Sequence, residues 1–269
     1  MSRVVHFLLH VPKCAGTTVE RHFKQHLGPG FLIAPRWEHP ARDVIGNRYP
    51  GIELDGVSAV SGHSLSVSLK RHLPGAEIRE SVLLRDPIGY FLSFYNYRWM
   101  RHDEGHGPRP PSFEGWYRRQ RRNPISRFLI TRYFEQGVPA LYRFSSRGRL
   151  AWLEARLAGF HFVGSYRRAS EMVGGISTEL GLPDAVTNRN VNPRRHLERD
   201  ELDAAFIARI LDDNAVDTAL YERWADRGWS GRPDAAPPAL NSLDQPRYAL
   251  GDLITGLAKR IPADPAEKP

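Results

Sequence analysis

The segment HVPKCAGTT, residues 10–18, brings together residue types that bind phosphate and sulfate groups. Lys13 supplies a positive charge, and Thr17 and Thr18 supply hydroxyl donors. Gly16 lets the backbone approach a ligand closely, and the N–H groups at the start of a following helix attract anions. The lysine precedes the glycine by three residues, so this is not the Walker A sequence of P-loop nucleotide-binding proteins. The pattern predicts an anion-binding loop, with a tight turn and a solvated lysine as the alternative.

A second segment, LLRDPIGYFLSFYNY, places an arginine before a helix and a serine within it. Arg85 ends an apolar run, at the position where open parallel sheets bind their ligands. Ser93 follows eight residues later, about two helical turns along the next helix. The arginine fork and the serine hydroxyl can therefore hold one phosphate from two sides. The alternative is a surface pair between Arg85 and Asp86, with Ser93 as a filler residue.

The elements that position these residues follow from the hydrophobic pattern. Short apolar runs predict strands at 4–9, 57–61, 81–84 and 161–164. Helical spacing and stop signals predict helices at 17–27, 65–73, 87–100, 112–135, 147–158, 169–180 and 199–227. Strands that alternate with helices indicate an α/β fold, a parallel sheet flanked by helices in three α/β/α layers. We expect one domain over residues 1–230 and a tail at 231–269 that can form a short helix at 247–261.

Together the two segments resemble those of the PAPS-dependent sulfotransferases, in which PAPS is the sulfuryl donor 3′-phosphoadenosine 5′-phosphosulfate. The similarity is to the carbohydrate branch that includes the heparan sulfate 2-O-sulfotransferases. That branch carries His-x-Pro-Lys-x-x-Gly-Thr-Thr/Ser, matched at 10–18, and Leu-Arg-Asp-Pro followed by a serine, matched at 84–87 and Ser93. A Gly-His pair between the segments is matched at 62–63. The resemblance covers roughly residues 4–225 and implies the P-loop-like sulfotransferase fold.

The later part of the chain carries weaker similarity, in FVGSYRRASEMVGGISTELGLP and in NVNP. One position departs from the pattern, because Ile88-Gly89-Tyr90 stands where relatives often carry Val-Glu-Arg. The departure removes an acidic and a basic group and leaves the phosphate-binding residues in place.

The resemblance implies a role for each matched residue. Lys13 would stabilise the leaving phosphate, and Arg85 with Ser93 would hold the 3′-phosphate of the nucleotide. His63 is the candidate general base that removes the acceptor's proton, since a neutral imidazole suits that task near pH 7. The 5′ end of the nucleotide would be held by the whole loop, namely Pro12, Lys13, Cys14, Ala15, Gly16, Thr17 and Thr18.

Further residues have supporting roles or open alternatives. His10 is expected to orient the loop, and Glu20 is the fallback base. Arg194 and Arg195 in NVNPRRH are expected to contact the nucleotide or the acceptor, with a solvated basic turn as the alternative. The basic run 118–122 could recruit an anionic acceptor, and a solvated helix face is the alternative.

Composition limits the classes of protein further. With 41% hydrophobic and 25% charged residues in 269, the chain has a globular balance and can bury one sizeable core. A formal charge of +8 predicts attraction to anions without saying which. Cys14 is the one cysteine, so no intrachain disulfide forms and a reducing, cytoplasmic location is expected. No apolar stretch reaches the length of a transmembrane segment.

Two other functions stay open. A P-loop-type ATP-dependent kinase uses a similar loop, but the hydroxyl that would hold Mg²⁺ is misplaced here. A non-enzymatic nucleic-acid-binding protein would explain the positive charge but not the two phosphate motifs, so no nucleic acid is expected as a partner. No cysteine–histidine cluster or carboxylate pair has metal-ligand spacing, and we expect the reaction to need no metal.

The acceptor is expected to be a hydroxyl of a carbohydrate or glycoconjugate, glycolipids included, because of the family branch. The segment YALGDLITGLAKRI near the end of the chain could dock on a partner subunit, in a homo-oligomer, or on a membrane surface. A helix that packs against its own chain is the alternative.

Overall fold

The computed structural model of this protein describes residues 3–38, 47–183 and 195–229, and a single sheet forms its centre. Within these ranges the strands are β1 (Val4–Leu9), β2 (Phe31–Ile33), β3 (Ala59–Gly62), β4 (Glu77–Leu84), β5 (Phe162–Ser165) and β6 (Gly228–Trp229). The strand order is β2-β3-β1-β4-β5-β6, and neighbours are parallel except for β5 and β6. The predicted α/β class with a mostly parallel sheet is confirmed.

Helices flank this sheet, in an arrangement compatible with three α/β/α layers. In the first half they are α1 (Gly16–Leu27), α2 (Pro87–Asp103), α3 (Phe113–Arg118) and α4 (Pro124–Phe128). In the second half they are α5 (Gly137–Arg143), α6 (Ser146–Leu157), α7 (Ala169–Glu179), α8 (Ala204–Asp213) and α9 (Ala215–Trp224). None of the described helices is long and apolar enough to cross a membrane. The predicted tail at 231–269, with its helix at 247–261, lies outside the described residues.

β1 lies in the middle of the sheet because its sequence suits burial on both faces. Val5 and Phe7 are fully buried, and Leu8 and Leu9 are nearly so. Such a near-continuous apolar run is typical of a parallel strand with helices on both faces. α1 follows after a short loop and ends before Gly28, whose φ of 53° is left-handed. The loop at 10–15 is thereby fixed to the centre of the sheet.

Several strand boundaries differ from the predicted ones. β4 begins at Glu77 rather than at 81, because its charged first half pairs with β1. β3 and β5 are displaced by one or two residues from the predicted 57–61 and 161–164. β2 and β6 were not predicted, since they are three and two residues long and are defined by pairing with β3 and β5.

Three predicted helices differ in kind or in length. The helix predicted at 65–73 is a 3₁₀ helix at Val67–His72. The helix predicted at 112–135 is broken at Asn123, which adopts a left-handed φ of 51°, and it ends in a π-helix at Leu129–Tyr133. α5 comes next and was not predicted.

The third is the long helix predicted at 199–227, which is two helices, α8 and α9, divided at Asn214. The amide of Asn214 donates to the carbonyl of Ile210 (2.7 Å) and to the hydroxyl of Tyr117 (3.0 Å). Its oxygen accepts the N–H of Asn123 at 2.7 Å. Asn214 therefore ends one helix and ties the pair to α3 and α4.

Candidate functional site

Four neighbouring strands end at the same edge of the sheet, and each is followed by a residue able to bind or react. These residues are His10 after β1, His63 after β3, Arg85 after β4 and Tyr166 after β5. The four strands are adjacent and parallel, so their carboxyl ends meet. The strand order changes direction at β1, because β2 and β3 lie on one side of it and β4, β5 and β6 lie on the other. Open α/β sheets bind their ligands at the carboxyl edge of such a point.

The loop after β1 has an uncommon backbone shape. Lys13 and Ala15 adopt left-handed φ angles of 64° and 65°, which residues with side chains rarely do. Cys14 lies buried between them and anchors the loop in the core. α1 begins at Gly16, and no side chain in the described part of the chain caps its first N–H groups. Uncapped amides beside a lysine form an arrangement that attracts anions.

Gly16 is required by the packing of His10. A Cβ at position 16 would lie 1.9 Å from Cδ2 of the His10 ring, so a larger residue would displace the ring. On the other side, Nδ1 of His10 lies 2.6 Å from Oε1 of Glu20 in α1. The ring is thus held between loop and helix, which suits the orienting role expected for His10.

Glu20, the fallback base, is already engaged on two sides. Its Oε1 contacts His10 and also accepts a hydrogen bond from Oγ of Ser61 at 3.0 Å. Burial acts to raise the pKa of Glu20, but the hydrogen bonds to His10 and Ser61 outweigh it and lower the pKa. An ionised carboxylate with these partners is a weak base. The geometry suits Glu20 to positioning His10 rather than to removing a proton.

The side chain of His63 is open to solvent on one side and shielded on the other, and the backbone sets its tautomer. Nδ1 of His63 lies 2.8 Å from the carbonyl oxygen of His10. A carbonyl can only accept, so Nδ1 carries the proton and Nε2 keeps its lone pair. Partial burial of the ring and the nearby His10, whose ring centroid is 4.0 Å away, lower the pKa of His63 below its usual 6.5. His63 is therefore neutral at pH 7 with Nε2 able to accept a proton.

Lys13 carries the positive charge of the loop. Its Nζ lies 4.0 Å from the centroid of the Tyr97 ring, so α2 supports it with an aromatic face. Burial and the nearby Arg85 lower the pKa of Lys13 to about 8. The ammonium is largely protonated at pH 7, and a bound anion would favour that form.

Arg85 links the two segments that sequence analysis singled out. Its Nη1 donates to the carbonyl oxygen of Lys13 at 2.9 Å. Its guanidinium carbon lies 4.1 Å from the centroid of the Tyr166 ring, beyond the end of β5. Asp86 does not serve as a surface partner of the arginine; it caps α2 by accepting the N–H of Gly89 at 2.8 Å. The planar group is thus fixed between loop and ring.

Gly89 explains the departure at 88–90 from the family pattern. A Cβ at this position would lie 2.6 Å from Oδ2 of Asp86 and 3.2 Å from Nε of Arg85. That Nε is buried and has no hydrogen-bond partner among the described residues. The close approach of Arg85 to the start of α2 therefore leaves no room for a side chain at 89.

Ser93 lies on the face of α2 that looks toward these groups. Gly89, Ser93 and Tyr97 are four residues apart and share one helix face. Gly89 touches Arg85 and Tyr97 touches Lys13, so Ser93 lies along the helix between the two cations. Its position fits the predicted contact with the same phosphate as Arg85.

Of the two late arginines, the structure describes only Arg195. Arg194 lies outside the described residues. Arg195 is exposed, and its Nη1 is 3.6 Å from Oε1 of Glu198, as in a solvated turn. The next residue, His196, is held against α2, because its N–H donates to Oδ1 of Asn96 at 2.7 Å. The segment therefore runs beside α2 without bringing Arg195 into contact with the loop.

An open cleft of about 210 Å³ lies beyond α2, and sequence reasoning missed it. Part of its wall is aromatic, from Tyr90, Phe94 and Phe128, and part is basic, from Arg121, Arg127 and Arg132. No acidic residue lines it within the described chain. The cleft suits a ligand that has both an apolar surface and a negative charge.

Arg132 lines this cleft, and its positive charge makes a minor contribution to lowering the pKa of His63. It belongs to the π-helix, a turn type that often marks functional sites. The turn is held in place by Glu135, whose Oε1 accepts from Oγ of Ser66 at 2.8 Å and of Ser68 at 3.0 Å.

The basic run 118–122 does not act as one surface. Arg118 pairs with Glu114 at 2.6 Å on the exposed side of α3. Arg122 packs 4.3 Å from the centroid of the Tyr117 ring and pairs with Asp213. Arg121 lines the cleft, so one member of the run faces a cavity where an acceptor could bind.

The assembled edge offers an anion site and a base within one hydrogen-bonded unit. Lys13, the uncapped amides of α1 and Arg85 attract phosphate or sulfate groups, and Nε2 of His63 can accept a proton. Tyr97 contacts Lys13, Tyr166 contacts Arg85, and Arg132 lines the cleft beyond α2. Sequence reasoning assigned none of the three to the site, although both tyrosines lie within segments that it had singled out. Comparison with family models and with curated proteins finds no match for this chain.

Proposed function

We propose that this protein is a sulfotransferase that moves the sulfuryl group of PAPS to an acceptor hydroxyl, on a P-loop-like sulfotransferase fold. The observation that carries the proposal is the hydrogen bond from Arg85 to the carbonyl of Lys13. It makes one site from two segments that each bind a phosphate, and PAPS carries phosphates at both ends of its ribose. His63 is fastened to the same loop through the His10 carbonyl.

The donor has a place for each of its charged groups. The 5′-phosphosulfate lies over Lys13 and the first amides of α1, where helix dipole and ammonium favour negative charge. The 3′-phosphate lies between the remaining N–H donors of Arg85 and the hydroxyl of Ser93. Tyr166 stacks on the guanidinium of Arg85 and holds that group in one orientation. Two anchored ends fix the sulfur in line with an incoming hydroxyl.

The transfer needs one base and one cation. The acceptor oxygen attacks the sulfur while its proton passes to Nε2 of His63. The bond between sulfur and the bridging oxygen breaks, and the 3′,5′-bisphosphate of adenosine (PAP) leaves with the negative charge on its 5′-phosphate. Lys13 neutralises that charge as it develops. The imidazolium formed is stabilised by the His10 carbonyl on its Nδ1–H.

The cleft beside α2 would receive the acceptor. Its aromatic wall packs against the apolar face of a sugar ring, and its arginines bind an anionic substituent. We therefore infer a carbohydrate or glycoconjugate acceptor that carries a negative charge near the reacting hydroxyl.

Incubation with labelled PAPS and an acceptor panel tests this function. We expect release of PAP with anionic glycans, less with neutral glycans and phenols, and the same rate with or without magnesium. Turnover of ATP that requires Mg²⁺ would point to a kinase instead. Failure to bind PAP, together with steeply salt-dependent binding to RNA or DNA, would favour a nucleic-acid-binding protein.

The dependence of kcat/KM for the donor on pH should be bell-shaped, because kcat/KM reports groups of the unliganded enzyme. His63 must be neutral, so the acid limb is expected below its usual pKa of 6.5. Lys13 must be protonated, so the alkaline limb is expected near its lowered pKa of about 8. Initial rates at low PAPS measure both limbs. In Lys13→Arg, which stays charged, the alkaline limb should disappear, and its persistence would remove Lys13 as the cause.

A further inference from the structure

Two histidines and a glutamate meet on the sheet away from the donor loop. His6, His161 and Glu179 offer ligand atoms that all lie within 4.8 Å of one another. His6 is in β1, four residues before His10 and thus about 13 Å from it along the strand. His161 directly precedes β5, and Glu179 is the last residue of α7. The cluster therefore joins three elements that are far apart in sequence.

His6 is the uncommon member of the cluster. The residue is fully buried, and neither ring nitrogen has a hydrogen-bond partner within the described residues. A buried imidazole without a partner is costly, since each unpaired polar group loses its hydration. Its Nε2 is aimed at the cluster, 3.5 Å from Oε2 of Glu179. A ligand between the rings would satisfy this nitrogen.

The distances in the cluster are compatible with a bound metal ion. Zinc bonds of about 2.0–2.2 Å in a tetrahedron place neighbouring ligand atoms roughly 3.3 Å apart. Nε2 of His161 is 2.8 Å from Oε1 of Glu179, and the ligand atoms of the three residues all lie within 4.8 Å of one another. His161 and Glu179 are partly accessible, so small side-chain movements can bring the three ligand atoms to that separation.

We propose that His6, His161 and Glu179 bind one zinc ion. Two imidazoles and a carboxylate are ligands that Zn²⁺ prefers, and a water on the exposed side would complete four-coordination. The position, away from the carboxyl edge, makes this a structural ion that ties β1, the start of β5 and the end of α7 together. The proposal is independent of the sulfotransferase function.

Arg79 both supports and limits this site. Its Nη1 donates to Oε2 of Glu179 at 2.6 Å, and its Nε donates to Oε1 of Glu77 at 2.7 Å. A hydrogen bond to the outer oxygen of a ligating carboxylate fixes its orientation, as around many metal sites. The guanidinium also repels a cation nearby, so we expect moderate rather than extreme affinity.

The proposal is tested by titrating zinc into the full chain after a chelator has removed bound metal. Calorimetry measures the affinity and the number of ions bound, and thermal unfolding measures the rise in Tm that zinc causes. We expect one ion per chain in the wild type. His161→Ala and Glu179→Gln should each weaken zinc binding at least about tenfold and abolish the zinc-dependent rise in Tm. His161 and Glu179 are chosen because His6 is in the core, where a substitution can unfold the chain.

A matched control comes from another histidine pair. His22 and His26 lie four residues apart on α1 with ring centroids 4.7 Å apart, a spacing that could also hold zinc. His26→Ala should leave the affinity and the Tm shift unchanged. The proposal is overturned if the wild type binds no zinc, or if His26→Ala removes binding while His161→Ala and Glu179→Gln retain it.

Discussion

Replacement of His63 by alanine is expected to lower kcat by about 10²–10⁴-fold, the usual contribution of a general base. The affinity for PAP should change little, because the ring contacts only His10 at the start of the loop and not Lys13, Arg85 or Ser93 among the contacts of the described residues. Steady-state rates with PAPS and calorimetry with PAP measure the two quantities. Loss of rate with retained binding separates a chemical role from a structural one.

His102 provides a matched histidine for this experiment. It lies at the end of α2, and its Nδ1 also contacts a carbonyl, that of Gly107 at 3.2 Å. His102→Ala should therefore keep the wild-type kcat. A near-normal kcat in His63→Ala would remove His63 from the mechanism, and an equal loss in both variants would indicate a general effect on the fold.

Replacement of Arg85 by alanine should act on binding rather than on chemistry. Hydrogen bonds to charged groups contribute about 1.5–3 kcal/mol each, which corresponds to a loss of roughly 10–150-fold in affinity for PAP. Removal of the bond to the Lys13 carbonyl loosens the loop at the same time. Calorimetry with PAP gives the affinity, and kcat at saturating PAPS should fall much less than kcat/KM.

Two further variants serve as comparisons for Arg85→Ala. Arg85→Lys keeps the charge but loses the planar fork and the stacking on Tyr166, so it should recover only part of the affinity. Arg195→Ala removes an exposed arginine paired with Glu198 and should bind PAP like the wild type. Unchanged affinity in a folded Arg85→Ala protein would exclude Arg85 from the donor site.

The positions of the loop at 10–18 and of Arg85 at one edge of the sheet were predictable because their signals are local. The apolar run of β1 and the glycines after residue 27 fix the loop between strand and helix. Arg85 follows a buried strand, and a parallel sheet brings strand ends together without any knowledge of side-chain contacts. His63 was placed by its pattern, but the donation of its Nδ1–H to the His10 carbonyl required the structure.

The rest depends on contacts between distant residues. The apolar spacing of 199–227 continues across Asn214, and only the hydrogen bonds of that side chain to α3 and α4 show that the helix ends there. Arg132 lines the cleft from a π-turn that has no sequence signature. The break before Pro124 could have been predicted from the sequence, because Asn-Pro is a turn signal. The prediction of one helix at 112–135 gave more weight to the helical spacing than to that signal.

The left-handed residues Lys13 and Ala15 link the stability of the protein to its readiness to bind. Each such conformation costs on the order of 1–3 kcal/mol, and the buried Cys14 and the Arg85 hydrogen bond offset that cost in the unliganded chain. If the protein binds a nucleotide as proposed, the ligand meets a loop that is already in its binding shape, and little free energy is lost to ordering it. A substitution that relieves the strain at these two residues would raise the free energy of unfolding but lower the affinity for the ligand. Stability and affinity therefore make opposite demands on Lys13 and Ala15.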